Sequence, residues 1–393
     1  MSQQQISRFS HLAGGLYGGL AAVAACVLVL NGCGGGGGGS APANQTGYAS
    51  GRISGFGSVV VNGVHYDESS ARIQDEDGVS KSSNDLKLGM VVTVESDKPT
   101  SNNNSMTATA QDITVLSLVR GPVESVTPKL VVLGQTITVN ASTVKDDSLV
   151  GGLAQGQILN IYGLLDSSGA VATRIELSHS SSYSLLGLIT AQDTTAKTLT
   201  IGTAVIDVSA VTLPQGIALG SLVRVKLHTT QVNGAWVAIS VKSGAPHPSE
   251  SEHAEVEGMI TEFTSTKSFS VDGLPVDASI AAFTEGTTGL AKGAHVEVEG
   301  TMMNGVLMAN EVDVESDSAL ASHDFEVRGA ITAVDTMHST IVVHNIAVSY
   351  AGGTVTFVGG TATDLQVGVK VEVRGTLAAD GKTLNATQIT FKH

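Results

Sequence analysis

The chain has 393 residues, of which 46 are Gly, 15% are charged and 4% are aromatic, and its formal net charge is −15. A 42% hydrophobic content excludes a highly charged disordered polymer, 2 Cys cannot build a disulfide framework, and the negative balance argues against a protein that wraps nucleic acid.

The N-terminus reads as a targeting segment rather than a fold. Arg8 is the one basic side chain ahead of an apolar run from Leu16 to Leu30. The run ends in Leu30-Asn31-Gly32-Cys33, which resembles the bacterial lipobox, with Leu at −3 and a small residue at −1. That resemblance implies that residues 1–32 are a lipoprotein signal peptide. It also implies that Cys33 becomes the first mature residue and carries acyl chains (palmitate among them). A cleaved secretory signal and a membrane helix are the other readings. The apolar run is about 15 residues long, whereas a spanning helix needs ~20. Six glycines, Gly34 to Gly39, then lead into Ser40-Ala41-Pro42-Ala43-Asn44. Such a Gly/Ser stretch is a flexible coil, which suits a tether over residues 33–47. Gly34 stands at +2, where Asp often retains lipoproteins in the inner membrane of enterobacteria. The segment therefore points to a lipid-anchored cell-envelope protein of the outer membrane.

The rest of the chain repeats. An apolar residue, two variable residues and Gly recur at Leu86–Gly89, Leu153–Gly156, Ile217–Gly220, Leu290–Gly293 and Leu365–Gly368. Three positions after each Gly stand Val92, Leu159, Val223, Val296 and Val371. Five positions after it stand Val94, Ile161, Val225, Val298 and Val373. Between them lie Thr93, Asn160, Arg224, Glu297 and Glu372, all polar. Period-two alternation in five copies predicts a half-buried strand with its polar face to solvent.

Each copy opens on Gly with an apolar residue two further on: Gly51/Ile53, Gly121/Val123, Gly187/Ile189, Gly258/Ile260 and Gly329/Ile331. Each closes on Ala with Ile or Val three further on, from Ala110/Ile113 to Ala386/Ile389. Hairpin signals lie between, with Asn62-Gly63 and Asp272-Gly273 the strongest. Leu133-Gly134, Gly202-Thr203 and His344-Asn345 are their counterparts.

The prediction is an all-β chain of five tandem small OB-like barrels of five or six short strands each. They cover residues 48–117, 118–182, 183–252, 253–322 and 323–393, with a linker at 243–252. The barrels are expected as beads on a string with sequence neighbours in contact.

The segments Gly51–Asp67 and Leu86–Val94 resemble the tandem module known as domain of unknown function 5666, found in proteobacterial lipoproteins. The resemblance spans residues 50–393 and is strongest in the first unit. It implies address and fold, and carries over no catalytic residue.

Chemistry has few places to reside. Unit four holds 12 Asp+Glu against 2 Lys+Arg. Glu297 and Glu299 share one strand face there, and Glu255, Glu257, Glu311, Asp313 and Glu315 add to it. Such a face suits Ca²⁺; an ordinary solvated sheet face is the plainer reading. Asp75-Glu76-Asp77-Gly78 looks like part of a calcium loop, with Asp75 and Asp77 as candidate ligands. It lacks the full spacing and reads equally as an Asp-Gly turn. His247 and His253 bracket the linker, and His323-Asp324 opens unit five. Neither arrangement gives a rigid set of metal ligands.

No hydrolase elbow, phosphate loop or His-Glu-x-x-His occurs in the sequence. No enzyme activity and no cofactor are expected, and no nucleic-acid partner. The expected role is a structural or interaction array of barrels, held to the membrane by Cys33 and meeting an envelope protein or glycan. Capture of an envelope glycan, peptide or Ca²⁺ is the alternative.

Overall fold

The Val-x-Val pattern of each copy does form a strand, and its branched residues close a core. All ten flanking aliphatics, from Val92 and Val94 to Val371 and Val373, are at most 1% exposed. The computed structural model describes residues 46–393 apart from 103, 104, 150, 167, 168, 247, 249, 285, 316–323, 353 and 393. The signal segment, Cys33 and the glycine run lie outside the described residues.

The first barrel shows the circuit. Its opening strand Thr46–Phe56 pairs antiparallel with Val59–Val61, which pairs with Val64–Asp67. Val64–Asp67 lies parallel to the closing strand Ser105–Leu116. The closing strand pairs antiparallel with Val91–Asp97, and that strand returns to the opening one. The order is thus first, second, third, fifth, fourth and back to first, with one parallel pair, the OB-type arrangement. Closure leaves no continuous sheet edge and hides the apolar face inside.

The same circuit recurs in the second barrel and in the third. It recurs again in the fourth and the fifth. The chain is all-β, made of small closed barrels, as its alternation predicts.

The two glycine motifs turn out to be parts of one joint. In every barrel the N–H of the second glycine bonds the carbonyl of the apolar residue after the first: Gly89 to Ile53, Gly156 to Val123, Gly220 to Ile189, Gly293 to Ile260 and Gly368 to Ile331. The N–H of that apolar residue bonds back to the carbonyl just after the second glycine, as Ile53 does to Met90 at 2.7 Å. All five second glycines lie at φ between +79° and +91°, where a Cβ is strained. The opening glycines serve a different purpose. A Cβ on any of them would press on the hairpin turn, at Asn62, Leu133, Ile201, Asp272 or His344.

The hairpins are formed as their sequences ask. Asn62-Gly63 and Asp272-Gly273 both have two positive φ values, the type I′ signature. Leu133 adopts φ +49° against its own preference, and its fully buried side chain lies over Gly121.

The barrels are not beads on a string. The first barrel is joined along its opening strand to the fourth, in parallel register from Gly47↔His253 to Ser50↔Val256. The same strand continues to the fifth barrel through Gly55↔Glu326 and Phe56↔Val327. The second and third barrels pair through Arg120↔Ser184 and Val119↔Leu185. Apolar packing follows these joints. One core cluster runs through barrels one and five with Tyr162 and Leu164 of the second, and another runs through barrels two and three with Met259 of the fourth.

The expected linker is shorter than 243–252. Strands run to Ser243 and restart at Ser251, and Gly244 donates to the Leu222 carbonyl at 2.9 Å.

Candidate functional site

Alternation sends one side chain in two out of each barrel. The sequence places these polar residues in solvent, but the joints place several of them between barrels. Three such regions carry nearly all the buried charge.

A polar cleft of about 430 Å³ lies where barrels one, two and three meet. Asp75-Glu76-Asp77-Gly78 forms its first wall as a tight turn, with Gly78 at φ +80°. Asp75 accepts from the Asp77 and Val79 amides at 3.1 and 3.0 Å and pairs with Lys81 at 3.5 Å. Asp77 meets Lys226 of the third barrel at 2.9 Å. Glu76, which sequence reasoning passed over, is the residue that ties the region together. It pairs with Arg120 at 2.6 Å and accepts from Ser117. The Asp-Gly turn reading therefore describes this segment, and its two aspartates engage different lysines. On the second wall Glu176 accepts from the Tyr162 hydroxyl at 3.0 Å and the Asn160 amide at 3.2 Å, and it pairs with Arg174. Burial first, and then the Glu176 carboxylate, hold Tyr162 well above its usual pKa, so it stays a hydrogen-bond donor.

The seam between barrels one and five is a neutralised network. On the outer face of the fifth barrel Glu326 stands opposite Arg374, and Arg328 opposite Glu372. Arg328 reaches Glu326 at 2.6 Å and Glu372 at 2.9 Å, and Lys392 reaches Glu372 at 2.8 Å. Burial disfavours ionisation of Glu372. The hydrogen bond from Lys392 and the two arginines outweigh that burial and hold its pKa below the usual value. Glu326 comes out above its usual value because its burial wins over Arg328. From the first barrel His65 enters this seam, 3.7 Å from Glu326 and 3.2 Å from Ser58. Burial, and then Arg328, lower its pKa to about 4, so it is neutral at pH 7.

The seam between barrels one and four has the same positions and the opposite electrostatics. Glu257 stands opposite Glu297, and Glu255 opposite Glu299. Glu297 does not look out to solvent. It shares a side-chain hydrogen bond with Glu255, and desolvation followed by Glu255 and Glu257 raises it well above a normal carboxyl. Burial likewise raises Glu255 to about 7. Glu299 is the one that keeps a solvated face, 47% exposed, with His253 3.5 Å away. Glu257 is offset by Arg52 at 3.7 Å. Asp272, at the hairpin turn, accepts from the Met259 amide at 3.2 Å, and burial raises it to about 7.

Among the described residues no group of three or more His, Cys, Asp or Glu is arranged to hold a metal ion. The carboxylates at Glu297, Glu299, Asp75 and Asp77 are thus distributed over two separate regions. His247 and His323 lie outside the described residues. Asp324 is raised above its usual pKa by burial, against the pull of Arg374.

Closed five-strand circuits joined through charged outer faces define a protein of tandem small β-barrels. Residues 120–176, 257–313 and 328–390 match the model of a domain of unknown function (DUF5666), so the chain carries tandem modules of that family. The matched stretches fall in barrels two, four and five; the first barrel, whose segments Gly51–Asp67 and Leu86–Val94 resemble the module most, and the third have the same circuit but are not among them. No curated protein matches the chain.

Proposed function

We propose that this chain is a non-catalytic structural and interaction protein of the cell envelope, a cluster of barrels tethered to the outer membrane by acyl chains on Cys33. The observation that carries this reading is the use of the polar side chains. Arg120, Arg174, Glu76, Glu326, Glu372, Arg328 and Arg374 join one barrel to another or one strand to the next. The lipobox and the six glycines supply the anchor and the leash. Several acyl chains on one Cys make anchoring stable, since each buried methylene adds ~0.8 kcal/mol.

Metabolic labelling with palmitate should mark the wild type and not Cys33→Ala, and the variant should leave the membrane fraction. A Cys33→Ala form that still partitions with membranes overturns the anchor. Crosslinking and pulldown from intact envelopes would then find the partner.

The second reading, capture of an envelope glycan or peptide, is favoured by the polar cleft. Its wall includes the buried Asn160 Oδ1, which has no hydrogen-bond partner. Retention of the whole chain on envelope glycans, lost in Asn160→Ala, would support capture, and uniform failure would favour the structural role.

A further inference from the structure

The carboxamide of the Asn62-Gly63 turn crosses the joint between the first and fourth barrels. Main-chain pairing runs there through residues 47–50 and 253–256. The Asn62 Nδ2 donates to the Ser50 carbonyl of its own barrel at 3.2 Å and to the Glu255 carbonyl of the fourth at 3.5 Å. Both partners are acceptors, so only a donor serves at this position. Gly51 leaves the space for the clip, since a Cβ there would press on the Asn62 carboxamide. Thr46 to the Glu250 carbonyl, Lys98 to Glu252 and Arg52 to Glu257 also cross the joint.

The same residue is chemically labile. In an Asn-Gly pair the attacking main-chain nitrogen has no side chain beside it to hinder ring closure. Gly63 is exposed, and a Cβ on it would meet nothing within 4 Å. The reaction needs water alone. The Gly63 nitrogen attacks Asn62 Cγ and gives its proton to solvent, the Cγ–Nδ2 bond breaks, and ammonia leaves. Water then opens the five-membered imide at one of its two carbonyls, giving aspartate or isoaspartate. The product carboxylate accepts hydrogen bonds only, yet it faces two carbonyl oxygens.

We propose that Asn62-Gly63 is a self-modification site whose deamidation loosens the fourth barrel from the first in one direction only. Two hydrogen bonds fix the carboxamide on the joint, and closing a ring onto Gly63 requires it to rotate away. The reaction therefore proceeds from the opened joint, and the acid it forms opposes closure. The fourth barrel already carries an acid at the matching turn. Asp272, at φ +47° before Gly273 at φ +81°, meets the Met259 amide, which is a donor. A barrel of this circuit thus folds with either residue at the turn. The site belongs to the barrels alone and stands apart from the proposed lipid anchor.

Two further Asn-Gly turns among the described residues, Asn233-Gly234 and Asn304-Gly305, have both φ values positive and are exposed, so they serve as references. Peptide mapping of the whole chain during incubation at 37 °C and pH 8 follows the gain of acid at all three. In denaturant the three should convert alike. In the folded chain Asn62 should convert about fivefold or more slowly than the references, because local opening precedes its reaction. Hydrogen exchange on Asn62→Asp, the product, should show protection of amides 47–50 and 253–256 lowered by about fivefold or more. Amides 55, 56, 326 and 327, at the joint to the fifth barrel, should hold. No conversion at Asn62 once both references have converted, or conversion in the folded chain as fast as theirs, would overturn the proposal. So would unchanged protection in Asn62→Asp, or an equal loss at both joints.

Discussion

The fourth and fifth barrels have one circuit and two electrostatic solutions. At matching outer-face positions the fourth carries Glu255, Glu257, Glu297 and Glu299, and the fifth carries Glu326, Arg328, Glu372 and Arg374. Opposite-charge cross-strand pairs in the fifth barrel become like-charge pairs in the fourth. Both barrels close on branched aliphatics at the same strand positions: Val296 and Val298 in one, Val371 and Val373 in the other. Fold and surface charge are therefore separable in this repeat. The core sets the barrel, and the outer face sets how that barrel meets the first one.

The comparison can be broken most sharply at Glu372. Its side chain is 7% exposed and meets Arg328, Arg374 and Lys392. Replacing it by Gln should cost roughly 3 kcal/mol in denaturant unfolding, because Lys392 loses its carboxylate and the two arginines are left to share Glu326. Glu297→Gln, at the matching position, should instead favour the folded state, and by more at pH 8 than at pH 5. Equal losses at the two sites would show that the charge pattern is irrelevant.

The shared joint should respond alike in both barrels. Gly293 and Gly368 lie at φ +90° and +91°. Ala at either should cost about 1–2 kcal/mol, and a difference larger than that between the two would break the equivalence.

Asp272 sharpens the contrast by pH. Its folded pKa is raised to about 7 from 3.8, so the folded state holds a proton that the unfolded chain has lost. Stability from this group is therefore highest below pH 4 and declines as pH rises toward 7. Asp272→Asn, matching Asn62 of the first barrel, should add about 1 kcal/mol at pH 8 and lose that advantage below pH 4. Glu372, with its pKa lowered, behaves oppositely: its contribution is present above the usual carboxyl value and is lost on acidification. The smallest effect belongs to Glu299→Gln, where the side chain is half exposed, and less than about 0.5 kcal/mol is expected.

Much of the fold was legible because it is local and repeated. Period two at Val92/Val94 and its four counterparts, the Asn62-Gly63 and Asp272-Gly273 turns, and the recurring glycines are short-range signals. The polar regions were not legible. Glu297 and Glu372 occupy equivalent outward positions on alternating strands, and that alternation says only "away from this core". Whether the outside is water or a neighbouring barrel depends on contacts across 150 residues or more, such as Gly47↔His253. Glu76 stood inside the Asp75–Gly78 segment with no sign of its role, since its partner Arg120 lies in another repeat.

The amino-acid order alone determined the strands, the turns and the repetition of one unit along the chain. These follow from side-chain alternation and backbone preference within a few residues. Only the tertiary structure decided that the first barrel pairs with the fourth and fifth, and that carboxylates of the fourth are pressed together, with Arg52 of the first barrel beside Glu257. Closing a barrel is a matter of burying apolar faces within one repeat. Joining barrels depends on which strand flank and which charges come to face each other, and distance along the chain does not encode that.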